Sequence, residues 1–400
     1  MKIAFFGYYV PAEDLASTPG VSMADNKMQH DYITALEKSL GQPVAVFSTE
    51  SINYVNVKGL RTPSKMISGA VSIIRWAREV KRQGDTPALF YYNTFFLNVA
   101  AATLARIFCR FYLVPIAITL PYLAEGEHRP LPRMAERVCA LALKKSDGIV
   151  AITEELAERL CPGKPRLVIH GGISPAQLEE WSIVGDDPQI VPRVDALIDP
   201  PQVNQDTNKK KTIVYTGAIY SRYNLDKVIA AADLLGGEKY EVVLYGRGPD
   251  LDIIKERCAS SKAARYGGFV TGDELRRVQR GADVLLAVLS ADDRLARYTF
   301  PSKLFEYMAA GNPVVTSDLP SLPESLRRQV QVAAAITPEG IRDAIVAACG
   351  LDHRERELHR AACREYLEQN ATWDRHAERL AEFLKELEIK KPEKNGKRKQ

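Results

Sequence analysis

Lys303 and Glu306 stand three residues apart in the stretch Phe300-Pro301-Ser302-Lys303-Leu304-Phe305-Glu306-Tyr307-Met308-Ala309-Ala310-Gly311-Asn312-Pro313-Val314. On a helix that spacing puts a cation and a carboxylate on one face, with Leu304, Phe305 and Met308 turned inward. Pro301 suits the first helical position, where no amide hydrogen is needed, and the N–H groups after it point outward at the positive end of the helix dipole. Such an end accepts a phosphate. A cation beside the phosphates and a carboxylate one turn deeper fit the pyrophosphate and ribose hydroxyls of a nucleotide. The same spacing fits a surface ion pair worth roughly a few tenths of a kcal/mol, and this helix alone leaves both readings open.

The stretch resembles the signature of the retaining GT-B glycosyltransferases of the large family-four (group 1) type, whose helix reads E-x-M-A-x-G-x-P-V after a phosphate-binding turn. Other segments resemble the same family in the same order. Tyr215-Thr216-Gly217-Ala218-Ile219 is similar to its first C-domain strand and glycine turn, and Leu244-Tyr245-Gly246-Arg247-Gly248-Pro249 to its second. Tyr266-Gly267-Gly268-Phe269-Val270 resembles the segment whose backbone holds the nucleobase, and Trp373, Arg375 and Ala377 resemble the start of a final cross-domain helix. In the first half, Asp147 to Glu154 and His170-Gly171-Gly172-Ile173 are similar to the last N-domain strands.

The resemblance implies donor-binding roles for Gly217, Gly268, Phe269, Val270, Ser302, Lys303 and Glu306, with Glu306 on the ribose. Three departures stand out. Tyr298 occupies the place of the carboxylate that usually touches the transferred sugar, Ala218 that of a diphosphate-binding Arg, and Tyr223 that of a loop Lys. Arg222 and Lys303 are the nearest replacements for the missing cations, with Arg294 or Arg297 as the alternative. In the N-domain, Gly20, Ser22 and Asp25 occupy the place of a glycine loop facing donor and acceptor, where Ser22 or Asp25 would equally serve to cap a helix. Glu125 and His128 follow a strand where the family has a sugar-contacting His; they are the candidate catalytic residues, and an acidic surface loop explains them as well.

The implied activity is transfer of a sugar from a nucleotide-diphosphate sugar to a glycan or lipid-linked acceptor, with retention and without a metal or other cofactor. Surface-polysaccharide or lipopolysaccharide assembly in a bacterium is the expected setting, in the cytoplasm and peripherally on the inner face of the plasma membrane. The missing carboxylate and Arg leave a rival, a catalytically silent sugar-nucleotide-binding subunit that needs a partner. A GT-B epimerase or phosphorylase is a weaker rival, since such a phosphorylase would be much longer.

The elements that must position these residues follow from pattern. Four hundred residues call for two domains, and the 46% hydrophobic and 26% charged composition is that of a globular protein. Short apolar runs such as Lys2 to Gly7, Ala88 to Tyr92 and Ile213 to Thr216 alternate with helical patterns, which implies βαβ crossovers and parallel sheets. The fold class expected is α/β, GT-B, with two doubly wound Rossmann-like domains facing an interdomain cleft. The expected divisions are residues 1–172 and 211–371, joined by a Pro- and Asp-rich linker at 173–210, then a final helix at 372–389 and a basic tail at 390–400, read as disordered.

The net charge of +4 is concentrated in that tail, where six basic residues face one acidic residue. The body is therefore close to neutral, which excludes a nucleic-acid-binding face. The six cysteines are scattered without metal-ligand spacing, His353, His359 and His376 read as solvated surface, and no metal site is expected. The uncharged run Pro87 to Ala105 reads as a strand and a buried helix rather than a membrane span. Arg61, Lys65, Arg75, Arg78, Lys81 and Arg82, interleaved with Ile67, Val71, Ile73, Ile74 and Trp76, fit either contact with an anionic membrane or a helix that covers a sheet.

Overall fold

The computed structural model describes residues 1–11, 13–14, 23–48, 61–94, 96–120, 130–175, 177–179, 210–220, 223–289 and 296–389. It divides into two compact units, residues 1–171 with 373–400, and residues 172–372.

The first unit holds six strands: β1 (Lys2–Gly7), β2 (Ala45–Ser48), β3 (Pro87–Tyr92), β4 (Tyr112–Ala117), β5 (Ile149–Ala151) and β6 (Arg166–Val168). They form one parallel sheet in the order β2-β1-β3-β4-β5-β6, whose switch point lies between β1 and β3. β3 and β4 are buried along their whole length, as continuous apolar runs in a sheet covered on both faces must be. The uncharged run from Pro87 becomes β3 followed by helix Phe96–Phe108, with the Asn98 amide donating to the Tyr92 carbonyl at 2.8 Å. No helix among the described residues is long and apolar enough to cross a membrane.

Helix Arg61–Arg82 buries Ile73, Ala77 and Val80, one apolar stripe at helical spacing, and stacks Trp76 edge-on against Phe47. Ile73, Ala77 and Val80 thus belong to the core, while Ile67 and Val71, 52% and 38% exposed, and the cations Arg75, Arg78, Lys81 and Arg82 lie at the surface.

Helix Trp373–Ile389, expected to cross between domains, is part of the first unit. Its stripe of Trp373, Ala377, Leu380, Phe383, Leu384 and Leu387 enters the same core as Phe5, Phe90, Val114 and Val150. Most of the expected linker lies outside the described residues, but Ile173 and Leu178 at its start are buried in the second unit. There the Ile173 N–H donates to the Ala371 carbonyl at 2.9 Å. The basic tail at 390–400 lies outside the described residues.

His376, expected on a solvated face, is buried. It falls on the apolar stripe three residues after Trp373, its Nε2 donates to the Gly171 carbonyl at 2.8 Å, and burial holds its pKa down to about 4. His359 is half-buried, also with a lowered pKa, whereas His353 is exposed as expected. As pH falls, the unfolded chain protonates His376 near pH 6.5, before the folded chain does, so stability held at neutral pH is lost between about 6.5 and 4. His376 alone is expected to cost about 2 kcal/mol at pH 5 relative to pH 7. Urea unfolding at the two pH values should show His376→Gln losing less than wild type by that amount; equal losses would remove His376 from the acid response.

The second unit holds β7 (Lys211–Ala218), β8 (Tyr240–Arg247), β9 (Ala264–Gly268), β10 (Val284–Ala287), β11 (Val314–Ser317) and β12 (Gln331–Ala333). The sheet is parallel in the order β12-β11-β10-β7-β8-β9, the doubly wound nucleotide-binding order with its switch point between β7 and β10. Helices Leu225–Leu235 and Pro338–Cys349 bury Val228, Ile229, Ile341 and Ile345 on one face with Ile213, Leu244 and Leu286.

Candidate functional site

In an open parallel sheet the crevice for ligands lies beyond the carboxyl ends of the strands at the switch point. Thr216 and Gly217 end β7 there, and helix Lys303–Ala309 follows β10 on the other side of the switch. Lys303 reaches across, its Nζ donating to the Thr216 carbonyl at 2.5 Å and lying 5.7 Å from the centre of the Tyr215 ring. Tyr307, one turn on, donates its hydroxyl to the same carbonyl at 2.8 Å and accepts the Thr216 N–H at 3.1 Å. The Gln279 amide donates to Thr216 Oγ1 at 3.0 Å. Burial pushes the Tyr307 phenol up to about 12, so it stays a neutral donor.

Gly217 is required by this arrangement, because a Cβ there would come 2.1 Å from Lys303 Nζ. Gly246, its register partner on β8, has φ +151° and would drive a Cβ to 1.7 Å from the Gly217 carbonyl oxygen. The two glycines bring the backbones of β7 and β8 together beneath the amine.

Burial lowers the Lys303 pKa to about 8, and the Glu306 carboxylate, three residues on, partly offsets this. No ion pair joins them among the described residues, so the expected surface pair is replaced by a field acting over a distance. The lysine is a cation at neutral pH whose close partners are a carbonyl dipole and a ring face. That is a poorly compensated charge, and an anion would compensate it.

The helix begins at Lys303 with Ser302 as its cap residue, not at Pro301 as the sequence implies. The Leu304 N–H donates to the Pro301 carbonyl at 2.8 Å, a tight turn that delays the regular helix and uses part of the N–H set expected to face a phosphate. Ser302 is exposed and Glu306 half-buried. Tyr298 ends the short 3-10 turn Ala296–Tyr298 before this helix, and Arg297 beside it is exposed.

At the carboxyl ends of β8 and β9 the Arg247 guanidinium lies 3.7 Å over the ring of Phe269, which is 46% exposed. Gly268, with φ +100°, turns the chain into Phe269 and the half-buried Val270. Tyr266 ties the two strand ends by donating its hydroxyl to the Gly246 carbonyl at 2.8 Å. An exposed ring stacked with a guanidinium is a flat platform of the kind a heterocycle stacks on.

The structure thus gathers Gly217, Gly268, Phe269, Val270, Ser302, Lys303 and Glu306 along one edge of the second sheet. Sequence reasoning passed over Thr216, Tyr307, Gln279 and Arg247. Arg247 was visible as the charge between Gly246 and Gly248 at the end of β8, and Tyr307 as the residue one turn from Lys303.

Asp25, in the first unit, lies in the first turn of helix Met23–Leu40 rather than before it, so it is not the cap residue. It faces Tyr8, whose phenol is raised well above its usual range by burial and by that carboxylate. The loop after β1 is pinned to the same helix by Asn26, which accepts from the Val10 N–H at 2.8 Å and donates to the Val10 carbonyl at 2.9 Å. Glu125, His128, Arg222, Gly20, Ser22 and Arg294 lie outside the described residues.

Residues 210–350 match the family of glycosyl transferases group 1. An uncharacterized glycosyltransferase of Methanocaldococcus jannaschii is 24% identical over 246 residues, 58% of this chain and 56% of that protein, so the match spans little more than half of either. Among solved structures, the apo form of the lipopolysaccharide outer core galactosyltransferase WaaB superposes with a TM-score of 0.57 at 15% identity, covering 96% of this chain and all of that one. HepE of Anabaena, in complex with UDP and glucose, gives 0.59 at 14%, covering 96% and 99%. At such identities the superpositions speak for the fold, and the family match speaks for the unit that carries Lys303 and Glu306. Residues 210–350 thus carry a group 1 glycosyl transferase domain, and the two doubly wound units have the GT-B fold.

Proposed function

We propose that this protein transfers a sugar from a nucleotide-diphosphate sugar to a glycan or lipid-linked acceptor, with retention at the anomeric carbon. The observation that carries the reading is Lys303, a cation held at the switch point on a strand carbonyl beside a glycine, with no carboxylate in contact among the described residues. The base would stack on Phe269 and Arg247. Two strand spacings, roughly 10 Å, separate β9 from β7, a span comparable with that of a nucleoside diphosphate. Glu306 would accept from the ribose hydroxyls.

As the bond from the anomeric carbon to the diphosphate oxygen breaks, negative charge grows on the leaving group, and a preorganised ammonium stabilises it in place of a divalent cation. The acceptor oxygen takes the anomeric position, and its proton passes to an oxygen of the departing diphosphate. Glu125, His128, Gly20, Ser22 and Asp25 remain the candidates on the acceptor side, and Arg222 a second cation for the diphosphate. No other cofactor enters the proposal.

The setting proposed is bacterial surface-polysaccharide or lipopolysaccharide assembly, on the cytoplasmic face of the membrane. The galactosyltransferase activity of WaaB on the lipopolysaccharide outer core supports it by analogy of fold. The silent-subunit reading is favoured by one observation, Tyr298 in the place of a sugar-contacting carboxylate. Screening UDP-, GDP- and dTDP-sugars by thermal shift, then measuring nucleoside diphosphate release with a lipid-linked acceptor, separates the two. Stabilisation with release is expected; stabilisation without release under any acceptor would establish the silent subunit.

A further inference from the structure

The first unit exposes large apolar side chains on two neighbouring helices that no element among the described residues covers. Ile107 is 74% and Phe108 61% exposed at the end of helix Phe96–Phe108, and Val138 is 52% and Leu141 63% exposed on helix Pro130–Leu143. The two helix ends are joined by Arg106, which donates to the Lys145 carbonyl at 2.6 Å and pairs with Asp147 at 2.9 Å. The four side chains therefore share one region, at the amino edge of the sheet, where Asp147 also accepts the Leu113 N–H at the start of β4. The crevice at the strands' carboxyl ends is at the opposite edge of this unit.

Arg110, Lys144 and Lys145 flank the cluster and are exposed. Residues 96–111 contain no acidic side chain, and Asp147 is taken by Arg106. Cations at helix ends have a local reason, since they oppose the helix dipole. Exposed Ile, Phe, Val and Leu have none, and together with the cations they form the pattern of a surface that inserts apolar side chains below anionic headgroups. Charge decides between the two available occupants. A second copy docked by two-fold symmetry would lay these cations against their own equivalents, whereas an anionic bilayer neutralises them.

We propose that the amino edge of the first unit, through Ile107, Phe108, Val138 and Leu141 ringed by Arg110, Lys144 and Lys145, docks on an anionic lipid surface. This deepens the membrane reading above by adding a site apart from helix Arg61–Arg82, whose Ile73, Ala77 and Val80 are in the core and whose Ile67 and Val71 are exposed. It does not depend on the transfer chemistry.

Flotation with phosphatidylcholine vesicles, with and without about a third phosphatidylglycerol, tests it. Wild type is expected to float with the anionic vesicles and not with the neutral ones, and to be released at about 0.5 M salt. Phe108→Asp with Leu141→Asp should cut the bound fraction at least about tenfold with the melting temperature held. Lys144→Glu with Lys145→Glu should act likewise, and a chain lacking residues 390–400 should still float. Wild type that ignores both vesicles, variants that float as wild type does, or binding lost with the tail alone would each overturn the proposal. A dimer in light scattering that Leu141→Asp dissociates would overturn it in favour of a second copy. Failure to bind a nucleotide would strike the transfer reading and leave this one standing.

Discussion

Lys303→Met is expected to weaken nucleoside diphosphate binding about 10- to 100-fold while leaving the affinity for the parent nucleoside within about twofold. The estimate is the worth of a charge-assisted contact, about 1.5–3 kcal/mol, converted to affinity. Methionine keeps most of the length and removes the charge, 5.7 Å from the centre of the Tyr215 ring, together with the bond to Thr216.

The wild type carries its own pH signature. The free amine has a pKa of about 8, lowered by burial, and a bound diphosphate would raise it. Affinity should be flat between about pH 7 and 8, above the second phosphate pKa of about 6, and fall about tenfold per unit above pH 8 until the pKa of the bound state is reached. Over that interval binding takes up a proton, seen as a heat that scales with buffer ionisation enthalpy. Lys303→Arg, which cannot titrate there, should lose the break; a break that survives the arginine belongs to another group, and equal losses of nucleoside and diphosphate affinity in Lys303→Met would exclude a phosphate role.

Glu306→Ala is expected to bring transfer below detection, a loss of at least about a thousandfold, and to cost most of the donor affinity without unfolding the protein. Glu306 is half-buried and joined to Lys303 by its field alone, so the fold has little to lose with it. Its removal has a second effect with a definite sign. The carboxylate raises the Lys303 pKa, so without it the amine should titrate below 8 and the break in diphosphate affinity should move to lower pH. Glu306→Gln, which keeps hydrogen bonding to the ribose but not the charge, should shift the break while retaining part of the nucleoside affinity. A variant that turns over normally would remove Glu306 from the site, and an unmoved break would mean that the coupling to Lys303 is negligible.

Much of the fold was readable because strands buried on both faces are written as unbroken apolar runs, as β3, β4 and β10 are. Helices Pro338–Cys349 and His353–Asn370 carried readable signals too, Thr337 with Pro338 at one start and the capping box of Asp352 and Glu355 at the other. The site was legible where chemistry and spacing are local, as in Lys303 and Glu306. It was not legible where a partner is far along the chain. Tyr307 acts through Thr216, 91 residues away, and Gln279 through the same residue from 63. The platform of Arg247 and Phe269 joins the ends of two strands, which no single window displays. His376 misled for a different reason: its position on the stripe was right for the core, and its polarity argued for water.

The bond from Lys303 to Thr216 also has a meaning in entropy. A free lysine side chain gives up as much as about 2 kcal/mol of rotamer freedom when it is fixed. Here the restraint is imposed by a strand of the sheet and completed when the unit folds, with Gly217 holding open the space that the amine fills. An anion arriving at this edge meets a cation that has already stopped moving, so the ordering cost falls on folding rather than on each turnover.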